Sequence, residues 1–149
     1  MGQSHHLISD NTKDARAVYV LDMDQDGDLD VLSASINDDK IAWYENDGEN
    51  DPTFAPHTIT TDANGANSVF AADVDSDGDM DVLSASYYHN RIAWYENDGS
   101  ETFIAHTITN YADNASSVYA SDVDGDGDMD VLSASRFDDK IAWYENDGY

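Results

Sequence analysis

Val31-Leu32-Ser33-Ala34-Ser35, followed after five residues by Ile41-Ala42-Trp43-Tyr44-Glu45-Asn46-Asp47-Gly48, is written three times in this chain. The pair returns as Val82–Ser86 with Ile92–Gly99, and again as Val131–Ser135 with Ile141–Gly148. The offsets are 51 and then 49 residues. A fixed period of this length marks a stack of equivalent supersecondary units. The two-residue difference is confined to Asn46–Phe54 against Asn97–Phe103, where Gly48, Asn50, Asp51 and Pro52 mark a surface loop.

Working outward from these two segments, each repeat reads as four short strands. The first strand is Val18–Leu21, with Val69–Ala72 and Val118–Ser121 as counterparts. The quoted segments are the second and third, and the fourth is Phe54–Thr60 or Phe103–Thr109. All are rich in Val, Ile, Tyr and Trp and are separated by Asp, Asn and Gly. No segment keeps a 3.6-residue period, so no long helix is expected. The third strand carries Ile41 and Trp43 on one face and Ala42 and Tyr44 on the other. A strand that is apolar on both faces suits a sheet sandwiched between two others. The first strand is built of small residues (Ala71, Ala72, Ala120, Ser121), as an innermost strand crowded round an axis would be.

These features predict an all-β fold of β-propeller blades, three four-stranded blades in one domain over residues 1–149. The blade repeats span approximately 17–60, 68–109 and 117–149. The third repeat lacks its fourth strand, and the missing strand is found at the other end of the chain. His6-Leu7-Ile8-Ser9 lies 16 residues before Asp22, as His57-Thr58-Ile59-Thr60 does before Asp73 and His106-Thr107-Ile108-Thr109 before Asp122. Residues 6–9 are therefore expected to complete the last blade of a ring. Three blades cannot close a ring, since propellers hold about 4–8. The expectations are a two-fold homodimer with six blades, each N-terminal strand completing the partner's third blade, or a fragment of a longer chain.

Between the first and second strands lies the chemical signal. Asp22-Met23-Asp24-Gln25-Asp26-Gly27-Asp28-Leu29-Asp30 recurs as Asp73–Asp81, with Asp75, Asp77 and Asp79 inside it, and as Asp122–Asp130, with Asp124, Asp126 and Asp128. Loop positions 1, 3, 5 and 9 offer carboxylates, position 7 a backbone carbonyl, and the Gly at position 6 permits a sharp turn. Calcium takes six to eight oxygens, so an alternating Asp loop suits it. Two carboxylates some 5 Å apart repel by ~1–3 kcal/mol at effective dielectrics of about 20–80, so a divalent ion or protons must relieve the loop. Magnesium demands tight octahedral geometry and zinc would want His or Cys, neither of which occurs in the loops. Position 12 is Ser33, Ser84 or Ser133 rather than the bidentate Glu of an EF-hand. About one Ca²⁺ per repeat, three per chain, is expected.

The 149 residues carry a formal net charge of −26, with 40% hydrophobic residues. This is a folding composition whose charge disfavours nucleic acid and anionic membranes and favours cations. No apolar run is long enough to span a membrane. With no cysteine there are no disulfides and no thiolate metal ligands. The N-terminus, Met1-Gly2-Gln3-Ser4-His5-His6, has no basic start and no apolar core, so no signal peptide is expected in this chain.

Aspartate loops set between two strands of a repeat ending in Trp-Tyr-Glu-Asn resemble the FG-GAP/VCBS-type repeats. Those form bacterial surface propellers and, more distantly, the integrin α-subunit propeller. The resemblance implies calcium ligation by the Asp at positions 1, 3, 5 and 9 and the carbonyl at position 7. It also implies an extracellular or cell-surface location. No literal Phe-Gly or Gly-Ala-Pro signature is present, and the family spans adhesion, glycan binding and non-catalytic modules of larger enzymes.

Three functional classes follow. A structural or adhesive calcium module is the first reading. A glycan-binding lectin is the alternative, with Tyr87, Tyr88, Arg91, Arg136 and Phe137 in the loops opposite the aspartates as candidate contacts to glycan or a cell-surface protein. An enzyme is disfavoured: the calcium loops account for the clustered Asp, and Glu45, Glu96 and Glu145 repeat with the blade, as structural residues do. Trp43, Trp94 and Trp143 read as inter-blade core, and His6, His57 and His106 as structural rather than metal-binding.

Overall fold

The computed structural model describes residues 5–148. Residues 1–4, where the reading of the N-terminus begins, and residue 149, the end of the third repeat, lie outside them. The described residues form eleven strands and no helix: β1 (Ala15–Leu21), β2 (Asp30–Ser35), β3 (Lys40–Asn46), β4 (Phe54–Thr60), β5 (Ala66–Ala72), β6 (Asp81–Ser86), β7 (Arg91–Asn97), β8 (Phe103–Thr109), β9 (Ala115–Ser121), β10 (Asp130–Ser135) and β11 (Lys140–Tyr144). They make three antiparallel meanders: β1-β2-β3-β4, β5-β6-β7-β8 and the three-stranded β9-β10-β11. The register repeats from sheet to sheet, with Leu32 opposite Trp43, Leu83 opposite Trp94 and Leu132 opposite Trp143. The eleven strands expected within the three repeats are found, the first of each sheet beginning three residues earlier than the sequence indicated. Residues 6–9 form no strand here.

Side chains alternate across each sheet, and the two faces go to different neighbours. Leu32, Ala34, Ile41 and Trp43 of the first sheet pack on Val69, Ala71, Val82, Ala93 and Tyr95 of the second. Leu83, Ala85, Ile92 and Trp94, the opposite face of the second sheet, pack on Val118, Ala120 and Val131 of the third. The same kind of face-to-face core is thus built twice, which is how propeller-like blades stack. Inside each blade the serine of the second strand meets the tyrosine of the third: Ser84 Oγ lies 3.3 Å from the Tyr95 hydroxyl, and Ser133 Oγ 3.2 Å from Tyr144. This gives a buried phenol the partner it needs.

The first strands β1, β5 and β9 lie side by side. Tyr19 and Phe70 have ring centroids 4.8 Å apart, and Phe70 and Tyr119 4.4 Å apart. Blade-to-blade hydrogen bonds add to the packing: Asn67 Nδ2 donates to the Ser116 carbonyl (2.7 Å) and the Val118 amide to Ser68 Oγ (3.3 Å).

At the end of the sheets away from the aspartates, the β2–β3 and β6–β7 turns are each stitched to the segment leading into the next blade. Asp39, in the left-handed conformation (φ 55°), accepts the Ala63 amide on its carbonyl at 2.9 Å and the Gly65 amide on Oδ1 at 2.9 Å. Asn90 (φ 55°) does the same for Ala112 and Asn114.

Candidate metal centre

The three aspartate loops join the first and second strands of each blade at one end of the sheets. Two left-handed residues wind each loop: position 4 (Gln25, Ser76, Gly125) and the Gly at position 6. The aspartates themselves hold that winding. Asp22 Oδ2 accepts the Gly27 amide (3.1 Å), Asp24 Oδ1 the Asp26 amide (3.2 Å) and Asp26 Oδ1 the Asp28 amide (2.9 Å). The second and third loops repeat this pattern with distances of 2.9–3.3 Å. Self-capping Asx bonds of this kind let a polar segment turn without sheet partners.

Positions 1, 3 and 9 converge. Asp22, Asp24 and Asp30 bring one oxygen each within 4.8 Å of one another, as do Asp73, Asp75 and Asp81, and Asp122, Asp124 and Asp130. The carboxylates at position 5 (Asp26, Asp77, Asp126) lie outside these triads. Position 7 (Asp28, Asp79, Asp128) turns its side chain toward the Asp-Gly that ends the third strand. A Cβ on Gly48, Gly99 or Gly148 would fall within 2.2–2.7 Å of that carboxylate, which is why a glycine closes the Glu-Asn-Asp-Gly run. Asp22 Oδ1 and Asp73 Oδ1 are sealed from solvent with no hydrogen-bond donor. A buried, unpartnered carboxylate oxygen is costly unless a cation supplies the missing interaction, so the donor set fits a hard divalent ion.

Position 9 has a second function that sequence reasoning missed. Asp30, Asp81 and Asp130 are buried, and each clamps two backbone amides. Asp81 Oδ2 accepts from Val74 (2.9 Å) and Oδ1 from Asn97 (2.8 Å); Asp30 does so from Met23 and Asn46, and Asp130 from Val123 and Asn146. The Asn at the end of the third strand replies by donating its side-chain amide to the carbonyl at position 8: Asn46 to Leu29 (3.0 Å), Asn97 to Met80 and Asn146 to Met129 (both 3.3 Å). The constant 16-residue spacing of Asp and Asn in all three repeats was the available signal.

Burial pushes the Asp81 carboxyl up to about 6, against the pull of the Asn97 and Val74 amides and the Trp94 indole. Asp130 has the same partners, yet its carboxyl is lowered, chiefly by the Asn146 amide and then by Val123. It is as closed to direct water contact as Asp81, but no further blade covers its loop, so desolvation weighs less. Burial first, then neighbouring carboxylates, raises Asp24 and Asp75. An aspartate whose folded-state pKa is raised adds stability at pH values below its unfolded pKa of 3.8, and that contribution is lost as pH rises through about 6. Protons would therefore compete with a metal ion bound at the second loop. Calcium affinity there should fall about tenfold between pH 7 and pH 5 by proton competition alone, measured by calorimetric titration at each pH. An affinity unchanged at pH 5 would contradict this reading of Asp81.

The other repeated residues of the first two blades are accounted for structurally, whereas Trp143, expected in an inter-blade core, is 45% exposed in the single chain. His57 stacks on Trp43 (centroids 4.4 Å) and its Nε2 meets Glu45 at 2.8 Å. His106 stacks on Trp94 (4.6 Å) and meets Glu96 at 2.6 Å. On the opposite end, Tyr87 packs edge-on to Tyr88 (5.1 Å) and Phe137 (6.3 Å), with Tyr88, Arg136 and Phe137 exposed. Arg91 stands apart from that cluster, its guanidinium held by the carboxylate and carbonyl of Asp62.

Blades stacked through apolar faces, each with an Asp triad in its first turn that could hold a metal ion, define a repeat protein with β-propeller-like blades. The FG-GAP-like repeat matches residues 22–84 and 73–133, and the chain belongs to that family. No curated protein matches it. No helix is long and apolar enough to cross a membrane among the described residues.

Proposed function

We propose that this chain is a calcium-stabilised β-propeller repeat module, structural or adhesive in role and without catalytic chemistry, working outside the cell or at its surface. The observation that carries the reading is the pair of sealed, donorless oxygens on Asp22 and Asp73, each residue a member of the Asp triad of its loop. Carboxylates at positions 1, 3, 5 and 9 and the carbonyl at position 7 would hold one ion per loop. The ion would supply charge neutralisation and a fixed loop shape. That shape matters for packing, because position 2 of the loop is core: Met23 is buried between the first and second blades and Val74 between the second and third. FG-GAP-like repeats are generally binding or structural modules, and here the repeated Glu45 and Glu96 are each engaged by a histidine. Equilibrium dialysis of chelator-stripped protein at pH 7.5 tests the proposal. Three Ca²⁺ per chain, not displaced by equimolar Mg²⁺, is the expected result; fewer than one would overturn it.

The aromatic cluster supports a second reading, a glycan-binding lectin. Tyr88 and Phe137 come from two blades and present rings to solvent on either side of the half-buried Tyr87, with Arg136 beside Phe137. Aromatic faces with a nearby cation suit sugar rings or a protein loop. On a glycan array, saturable binding that is competed by free sugar and lost in Tyr88→Ala or Phe137→Ala is expected from a lectin. Binding that persists in both variants would exclude this surface.

A further inference from the structure

Both end blades show a face that the interior of the same molecule shows how to cover. Ile141 and Trp143 are 86% and 45% exposed, while their counterparts Ile41 and Trp43 are 0% exposed against the following blade. At the other end Val18 is 69% exposed, while Val69 is 5% exposed against the preceding blade. The third blade thus bares the face that packs forward, and the first blade bares the face that packs backward. Val123, at loop position 2, is likewise exposed where Met23 and Val74 are buried.

The polar features end in the same way. β11 is the open edge of a three-stranded sheet. Asp139 holds the left-handed turn (φ 54°) with which Asp39 and Asn90 bind the segment entering the next blade, and no backbone amide among the described residues bonds to its carbonyl in that way. Residues 8–12 meanwhile lie along the bare face of the first blade, where Ile8 lines a hollow with Val31 and Tyr44. Ile108, on β8, lines the equivalent hollow with Val131 and Tyr144 of the third blade. Ile8 is therefore seated where the outermost strand of a preceding blade would place it, although the described residues contain no such blade.

We infer that a second copy of this chain is the missing neighbour at both ends. The third blade of one copy packs on the first blade of the other, and residues 6–9 add to β11 of the partner as its fourth strand. Only one multiple of three falls within the roughly 4–8 blades that close a propeller, so two copies close the ring and leave no end. The internal register sets the pairing. His57 stands opposite Trp43 and Thr58 opposite Ala42, so His6 meets the partner's Trp143 and Leu7 the partner's Ala142. His6 then stacks and bonds as His57 does with Trp43 and Glu45. The contact is built from the same residue types as the two interfaces inside the chain, and it covers the two bare apolar faces and the open strand edge together.

Light scattering on the 149-residue chain in millimolar calcium should give twice the 16.4 kDa chain mass, constant over a hundredfold dilution series. A mass of one chain, or a mass that climbs without limit with concentration, would overturn the closed pair. Ile141→Asp changes a side chain that is exposed in the single chain, so it should halve the measured mass and leave the internal cores intact; a variant that stays dimeric counts against the interface. The strand exchange has its own readout. Paired strands hold Cα atoms about 4.5–5.5 Å apart, within disulfide reach. Leu7→Cys with Ala142→Cys should therefore oxidise to a covalent dimer on a non-reducing gel. A bridged monomer, or thiols left free, would overturn the exchange.

Discussion

Stripping calcium from this protein should lower its melting temperature by about 15–30 °C. Each ion bound only to the folded chain stabilises it by ~2.7 kcal/mol when free calcium is about a hundredfold above its dissociation constant. Three loops together give ~8 kcal/mol, and a chain of this size shifts by roughly 2–4 °C per kcal/mol. That is comparable to the whole stability of an ordinary domain. The physical origin is local. The triad oxygens stand within 4.8 Å of one another, and Asp22 and Asp73 each carry an oxygen with neither water nor a donor to satisfy it. A chelated loop must relax to let in water or take up protons, and either change moves Met23 and Val74 in the inter-blade cores. Thermal denaturation with EDTA, and again after calcium is restored, measures the effect. A melting temperature within a degree or two of the loaded protein would show that these loops are solvated turns.

The second large effect separates two aspartates of one loop. Asp81→Ala should destabilise the protein by about 2–6 kcal/mol even in EDTA, because it leaves two buried amides without an acceptor at ~1–3 kcal/mol each. The amides are those of Val74 and Asn97, which Asp81 holds at 2.9 and 2.8 Å. Asp77→Ala removes an exposed carboxylate whose one internal bond is to the Asp79 amide. Its effect should be large in calcium and within about 1 kcal/mol in EDTA, as for the loss of one exposed hydrogen bond. Urea unfolding of both variants with and without chelator gives the four values needed. Equal losses for the two variants in EDTA would refute the structural role assigned to position 9.

Much of the fold was legible because the repeat is nearly literal. The twin apolar faces of Ile-Ala-Trp-Tyr located the sheet between two neighbours; the strand expected at residues 6–9 from the 16-residue offset of His6 from Asp22 is not formed in the single chain. The aspartate loops were legible as candidate cation sites because oxygen donors at alternate positions between strands have few other uses. The amide clamp was harder to see. Asp30 reaches Asn46 across a hairpin, and nothing in either residue alone signals the pairing. The histidines read as structural, but their Glu partners and the Trp stacking depend on cross-strand register, which pairs Trp43 with His57 and Trp94 with His106. Arg91 shared a loop with aromatic residues in the sequence; in the folded chain Asp62, brought close by the incoming segment, holds it instead.

All of this rests on divalent ions at the three strand-connecting turns, and a crystal structure of the protein grown in millimolar CaCl₂ is the most direct test. The expected result is one strong density peak per loop, six or more oxygens around it at about 2.3–2.6 Å, and an anomalous signal that fits calcium. Ordinary water between the carboxylates of Asp22, Asp24 and Asp30, and of their counterparts, would contradict it.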